Sequence, residues 1–289
     1  MYWLSFAIVA IILGGLYAVH RTSFPFTQIV LIQILLIFMV VNIPGLRFPE
    51  MMWRVWFDLA GRPIYITDLS RSYTYLSMIY LHGDFMHLLG NGLVLFFIGT
   101  ALEDRMGKKK VVIIYFSTAL LATLSHYFVN LGDHTPVLGA SGAVFGLMGA
   151  IFILYPQDKI PMFLGPIFMP AVRVDLAVAV FVVMQTGIAL IAPQGVAHAA
   201  HFGGFAAGMV VAKFIHRVDL DESAPVGDYT SLRVLVTDEN TRSIYHKMME
   251  AEHEDVRRAW AEHLISLSDC PECGAPLERF KCKCGFRVR

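Results

Sequence analysis

Ser141 stands between glycines in Gly139-Ala140-Ser141-Gly142, and His201 stands in Ala200-His201-Phe202-Gly203-Gly204. A hydroxyl and an imidazole are the parts of a nucleophile and its general base if a fold brings them together. The glycines beside Ser141 let another backbone or a substrate approach closely. A serine that opens a helix also lies among amides with no partner inside that helix, which can donate to an anion. An oxyanion site fits there. His87 and Asn91 are four residues apart, so a helix puts them on one face, one turn from each other. His82 lies just before that helix, and Asp84 is placed to cap it. A second chemistry is offered by Cys270, Cys273, Cys282 and Cys284, all within the last twenty residues. Four thiolates suit tetrahedral zinc, and a reducing cytoplasm disfavours disulfides. Each residue alone also has a plainer reading. Serine in a Gly/Ala-rich helix is packing glue, and a lone intramembrane histidine is often structural.

The elements that must position these groups are membrane helices. The 289 residues are 56% hydrophobic and 16% charged, with mean hydropathy +0.58, too little polar surface for an ordinary soluble globule. A formal net charge of zero gives no sign of nucleic acid as a partner. No Asp, Glu, Lys or Arg occurs in 1–20, 22–46, 85–102, 111–132, 134–157 or 176–212. A helix needs ~20 residues to cross the hydrocarbon core, so the first five stretches are about one span each. Pro193-Gln194-Gly195 divides the last into two with a tight turn. Seven spans follow, near 3–19, 26–43, 85–101, 111–129, 139–155, 174–191 and 197–215. The first has no Lys or Arg before Arg21 and no clear cleavage site, so it reads as a retained helix.

Arg105 and Lys108 to Lys110 follow the third span, whereas 130–138 and 192–196 carry no Lys or Arg. The bias toward basic loops on the inside makes the lysine cluster and the C-terminus cytoplasmic, with the N-terminus outside. Arg47, Arg54, Arg62 and Arg71 run against that bias, but the Met51-Met52-Trp53-Arg54-Val55-Trp56-Phe57 run between them reads as a segment lying in the outer interface. On the last span Ala200, Gly204 and Gly208 recur every four residues, a smooth face on which His201 can reach a neighbouring helix.

Three motifs on three spans, His82-x4-His87-x3-Asn91, Gly139-Ala140-Ser141-Gly142 and Ala200-His201-x2-Gly204-x3-Gly208, resemble the rhomboid intramembrane proteases in type and order. Glu103 and Arg105 resemble that family's acidic-x-Arg pair. The resemblance covers about 26–215. It implies an all-α polytopic membrane fold with a six-helix core, here with one extra N-terminal transmembrane helix before it. It also implies a serine endopeptidase that cuts peptide bonds in or near transmembrane helices of single-span or polytopic substrates in the lipid bilayer. Ser141 would be the nucleophile and His201 the general base, with no catalytic cofactor. His87, Asn91 and the Ser141 amide would stabilise the oxyanion. His82, Gly139, Phe145 and Gly204 would support them, the Phe145 ring packing on the catalytic histidine. The family's frequent Trp-Arg pair has no match, Tyr73-Thr74 standing in its place, and His198 is an additional histidine that reads as a polar helix-start residue. A catalytically inert relative that binds membrane clients shares the fold, but such relatives typically lack the serine or the histidine. A proton-relay transporter would need ionisable partners for its histidines inside the spans, and apart from Asp175 near an end none is present.

The expected organisation is the extra helix and its connection at 1–25, the membrane core at 26–217, a linker at 218–237 and a cytoplasmic module at 238–289. A bacterial inner membrane is the expected location. Residues 239–267 read as one helix, with Ile244, Met248, Val256, Trp260 and Leu264 on a single apolar stripe. The ending reads as half a zinc ribbon joined to a shortened C-x-C knuckle, with Cys270, Cys273, Cys282 and Cys284 holding a structural zinc.

Overall fold

The computed structural model describes residues 2–164, 167–191, 197–223, 229–251, 254–277 and 282–286. The chain forms two compact units, Met1–Ile215 and His216–Arg289. In the first unit α1 (Trp3–Arg21), α2 (Phe26–Arg47), α4 (Phe85–Met106) and α5 (Lys108–Val129) are each long and apolar enough to cross a membrane. Between α2 and α4 lies α3 (Pro49–Leu59), whose centre is the Met51–Phe57 run. Three further apolar helices follow: α6 (Ser141–Leu154), α7 (Val174–Ile191) and α8 (His198–Ser223). The Pro193-Gln194-Gly195 turn lies outside the described residues. Many large apolar side chains face outward, among them Phe6, Leu13, Leu35, Phe96 and Val210. Contiguous apolar surface on that scale suits lipid as solvent.

The start of α2 is satisfied by a side chain from another element. Pro25 offers α2 no capping side chain. Instead the Glu103 carboxylate accepts from the Phe26 amide at 2.6 Å, the Thr27 amide at 2.9 Å and the Thr27 hydroxyl at 2.7 Å. Orphan amides at a helix start thereby tie α2 to α4. Arg105 donates back to the Ala101 carbonyl at 2.7 Å and across to Asp158 at 2.6 Å. Gly107 follows at φ 80°, a left-handed residue that ends α4 and lets α5 begin at once.

The extra helix α1 is bound to the core by polar contacts as well as by Leu4, Ile8 and Ile12. Gln33 of α2 donates to the Ile11 and Ile12 carbonyls at 2.8 and 3.1 Å, and Asp58 of α3 accepts from the Tyr2 amide and the Ser5 hydroxyl at 2.6 and 2.7 Å.

Span-length reasoning passed over a two-stranded antiparallel ribbon, β1 (Lys159–Leu164) and β2 (Ile167–Arg173), between α6 and α7. Its register runs from Lys159 opposite Arg173 to Leu164 opposite Ile167, with a bulge between Ile160 and Met162. Pro161 lies at that bulge, where a missing N–H costs the ladder nothing.

The second unit corrects two expectations. Helix α8 continues to Ser223, into the segment whose composition predicts a linker, while 224–228 lie outside the described residues. The single helix expected over 239–267 is two, α9 (Glu239–Glu250) and α10 (Glu254–Ser266). Ala251 leaves the helical region at ψ 126°, and Arg257 donates to its carbonyl at 2.7 Å. The break resets the phase of the apolar stripe. Ile244, Met248 and Leu264 are buried as expected, but Val256 is exposed and Ala261 and Ile265 take the inner face. Asp238 starts α9 with a capping box to Thr241, and its interaction with the Thr241 amide holds the carboxyl below its ordinary range.

Candidate active site

Small residues let the helices that carry the site touch backbone to backbone. A Cβ on Gly204 would collide with the Gly142 carbonyl oxygen, one on Gly208 with that of Gly146, and one on Gly149 with that of Phe205. On the other side of α6, a Cβ on Gly146 would strike Thr118 of α5. Close approach of this kind is how small-residue faces hold membrane helices together. It sets the reach of the side chains at the upper end of the seam.

There His201 Nε2 lies 2.9 Å from Ser141 Oγ, within hydrogen-bond distance. Phe145, one turn below Ser141, lays its ring on the imidazole with centroids 4.4 Å apart and planes 9° apart. Phe181 of α7 packs against Phe145 at 5.5 Å. His201 and Phe145 are both buried, so the imidazole is fixed in place against the serine. His198, at the start of α8, has its ring 6.2 Å from that of His201. Neither of its ring nitrogens has a partner among the described residues.

The other polar groups approach from α4. Asp84 accepts from the His87 amide at 2.9 Å and caps this helix. Gly139 has φ 124°, and a Cβ there would stand 2.6 Å from His87 Nε2, so glycine is required both by its backbone and by the space. Its amide donates to the Met78 carbonyl at 2.9 Å. His87 therefore lies against the loop that delivers Ser141, the first residue of α6, whose amide is among those left without a helical partner. Asn91 is buried and donates to the His87 carbonyl at 3.0 Å, leaving its second N–H for another acceptor. His82, also buried, stacks edge-on against His87 at 5.0 Å, and its carbonyl accepts from Asn42 at 3.3 Å.

Ser141, His201, His87 and Asn91 open on one cavity of about 720 Å³. Its remaining walls are mostly apolar: Met86, Val94 and Phe97 of α4, Ile160 to Phe163 of β1, and Phe181 of α7. Sequence reasoning missed the β1 wall, because the charge-free stretch at 160–172 that holds it is too short to cross a membrane. It also missed how Tyr73 serves the loop between α3 and α4. The Tyr73 hydroxyl donates to the Asp58 carbonyl at 2.9 Å and accepts from Arg71 at 3.1 Å, while the Arg71 guanidinium lies over Phe57 at 5.3 Å and Tyr65 at 5.2 Å. Asp133, in the connection before α6, is held below its ordinary range by the Thr135 amide and hydroxyl, which fold that loop on itself.

In the second unit the Sγ atoms of Cys270, Cys273, Cys282 and Cys284 all lie within 4.8 Å of one another. Cys270 and Cys284 are 3.6 Å apart, and Cys273 and Cys282 3.4 Å, too far for disulfides and near the ~3.8 Å edge of a tetrahedron with ~2.3 Å Zn–S bonds. Gly274 (φ 71°) and Gly285 (φ 102°) close the two turns. The Cys284 amide contributes most to holding the Cys282 thiol down at about 7, toward the thiolate a metal needs. The four residues fit zinc.

A family profile described as Rhomboid domain matches residues 69–218. The chain is 31% identical over 135 residues to the rhomboid protease GlpG of Klebsiella pneumoniae, covering 46% of this chain and 45% of the relative. It is 31% identical over 133 residues to RHOMBOID-like protein 5 of Arabidopsis thaliana, covering 46% and 40%. To the mitochondrial presenilin-associated rhomboid-like protein of Rattus norvegicus it is 25% identical over 139 residues, covering 47% and 36%. The matches thus span less than half the length of these relatives.

Proposed function

The chain belongs to the rhomboid family, and from that membership and the site we propose that it is an intramembrane serine endopeptidase acting on membrane proteins. The observation that carries the reading is the 2.9 Å approach of His201 Nε2 to Ser141 Oγ under a stacked Phe145, at the wall of a cavity. His201 takes the Ser141 proton as Oγ attacks the scissile carbonyl carbon. The oxygen then becomes an anion, for which the Ser141 amide, the His87 ring and the free Asn91 N–H are the donors at hand. Loss of one such donor typically costs ~10² to 10³ in rate. The imidazolium gives its proton to the leaving amine, and the acyl-serine remains. A water, deprotonated by the same imidazole, then attacks the ester and releases the acid.

The substrate is a membrane protein whose helix opens locally, so that its backbone reaches Ser141. The lysine cluster and C-terminus lie on the cytoplasmic side of a bacterial inner membrane, and Cys270, Cys273, Cys282 and Cys284 hold a structural zinc. A panel of single-span substrates in liposomes tests the activity. Ser141→Ala and His201→Ala should each abolish cleavage, and the double variant should be hardly worse than either, because members of one catalytic unit are not additive. Full cleavage by well-folded Ser141→Ala would transfer the chain to the inert, client-binding class.

A further inference from the structure

An imidazole has two ring nitrogens, and Ser141 accounts for only one of those on His201. If Nε2 is to take the Ser141 proton it must be bare, so the resting His201 carries its own proton on Nδ1. Nδ1 is buried, and no carboxylate, carbonyl or other acceptor among the described residues bonds to it. An N–H left unpaired in such a place is costly. It also leaves nothing to hold the ring against the other tautomer, in which Nε2 bears the proton and cannot act as a base.

His198 is placed to answer this. It precedes His201 by three residues in the first turn of α8, so the two share a face of that helix. Their ring centres lie 6.2 Å apart with the planes at 85°. An imidazole nitrogen stands ~1.2 Å from its ring centre, so nitrogens of the two rings come no closer than ~3.8 Å, too far for a direct hydrogen bond. One water bonded to both spans ~5 Å, which this spacing allows. Both nitrogens of His198 are buried and without a partner among the described residues. That argues against a plain helix-start role, in which the ring would accept from a free amide of α8. Three unpaired buried nitrogens on two neighbouring rings are rare, and a shared water is the usual way such groups are satisfied. Ala197, just before His198, lines the cavity with His201, which puts the gap beside it.

We propose that His198 is a positioning residue for the base: one water accepts from His201 Nδ1 and donates to the bare nitrogen of His198, which holds His201 in the tautomer with Nε2 free. No proton leaves either group during attack. As Nε2 takes the serine proton, the Nδ1–H stays on the water, whose oriented dipole faces the new positive charge. The inference rests on the proteolytic reading of Ser141 and adds to it how the base is prepared. Gln185 of α7 is the competing acceptor, since its Oε1 is also buried and unpartnered and it lines the same cavity.

The test treats the full chain in liposomes with a fluorophosphonate, which an activated serine attacks at phosphorus. The P–O bond forms, fluoride leaves and His201 takes the Oγ proton. Rates at rising probe concentration separate the maximal labelling rate from probe affinity. His198→Leu should lower the maximal rate about tenfold, the order expected for an orphaned buried donor, with affinity unchanged. At least one of His198→Asn and His198→Gln should restore it to within about threefold of wild type, because an amide can bond the same water and leucine cannot. A wild-type rate in His198→Leu, equal losses in all three variants, or a loss confined to affinity would overturn the proposal. So would a loss in Gln185→Leu that His198→Leu does not share. Should His198→Leu not fold, nitrogen NMR of the wild type decides, with signals assigned by their loss in His201→Ala and His198→Asn. His201 should carry its proton on Nδ1 in contact with water, and a proton on Nε2 or a dry Nδ1 would refute the bridge. Failure of the wild type to label at Ser141 would instead overturn the proteolytic reading beneath it.

Discussion

Gly204→Ala is the most direct perturbation of the seam between α6 and α8. The new methyl carbon would collide with the Gly142 carbonyl oxygen and lie 3.3 Å from the Ala122 methyl carbon. Neither neighbour is the far end of a flexible side chain, because one is helix backbone and the other a Cβ. Relief requires the helices to separate by roughly 1 Å, since dispersion contacts favour ~3.5 Å or more. Overpacking of that kind costs ~1 to 3 kcal/mol in stability. The same movement would stretch the 2.9 Å Ser141–His201 contact to about 3.9 Å, beyond hydrogen-bond range. A 1 Å misplacement of reacting groups costs ~10² in rate. The assay is cleavage of a single-span substrate in liposomes, with thermal unfolding in detergent measured on the same preparation. Gly14→Ala is the control, because a methyl group there meets nothing within 4 Å, and a mid-helix Gly→Ala is expected to stabilise by up to ~1 kcal/mol. Gly204→Ala with wild-type rate and wild-type unfolding temperature would refute the argument that backbone contact sets the distance between the serine and the histidine.

The cysteine cluster should bind about one zinc per chain, measured by elemental analysis. The metal should be lost in Cys270→Ser/Cys273→Ser while cleavage by the membrane unit survives; a well-folded, metal-free second unit would contradict this. Orientation is checked with single introduced cysteines and a membrane-impermeant reagent in intact cells. Asp133→Cys should react and Lys109→Cys should be protected, and the reverse pattern would overturn the charge argument.

Regular features of this chain were legible because their physics is periodic or compositional. Charge-free stretches located α1, α2, α4 and α5, which depend on the thickness of the lipid core and on little else. The meeting of Ser141 with His201 was legible for a different reason: Gly142, Gly204 and Gly208 leave room for one close approach, and the residues beside them inherit it. What was not legible depends on where a pattern stops. The stripe Ile244, Met248, Val256 assumes an unbroken helix, but α9 ends at Glu250, Ala251 is extended, and Val256 is exposed. No apolar period announces such a break, because the residues on either side keep their own spacing.

The ribbon β1–β2 illustrates the same limit in the membrane unit. Lys159-Ile160-Pro161-Met162-Phe163-Leu164 is too short to span and carries a proline, so it reads as a connection. Its structure is set by its surroundings: Arg105 and Asp158 hold the base, while Phe97, within the π-helical turn Leu95–Gly99 of α4, receives the end. The local strand propensity of Ile160 and Phe163 is modest beside the cost of unpaired backbone in lipid, which only a paired ribbon against α4 and α7 avoids. A segment that reads as linker can therefore build a wall of the site when the solvent around it forbids a disordered alternative. The residues that could do chemistry are found by their type, whereas those that wall the cavity are found only once the backbone is in place.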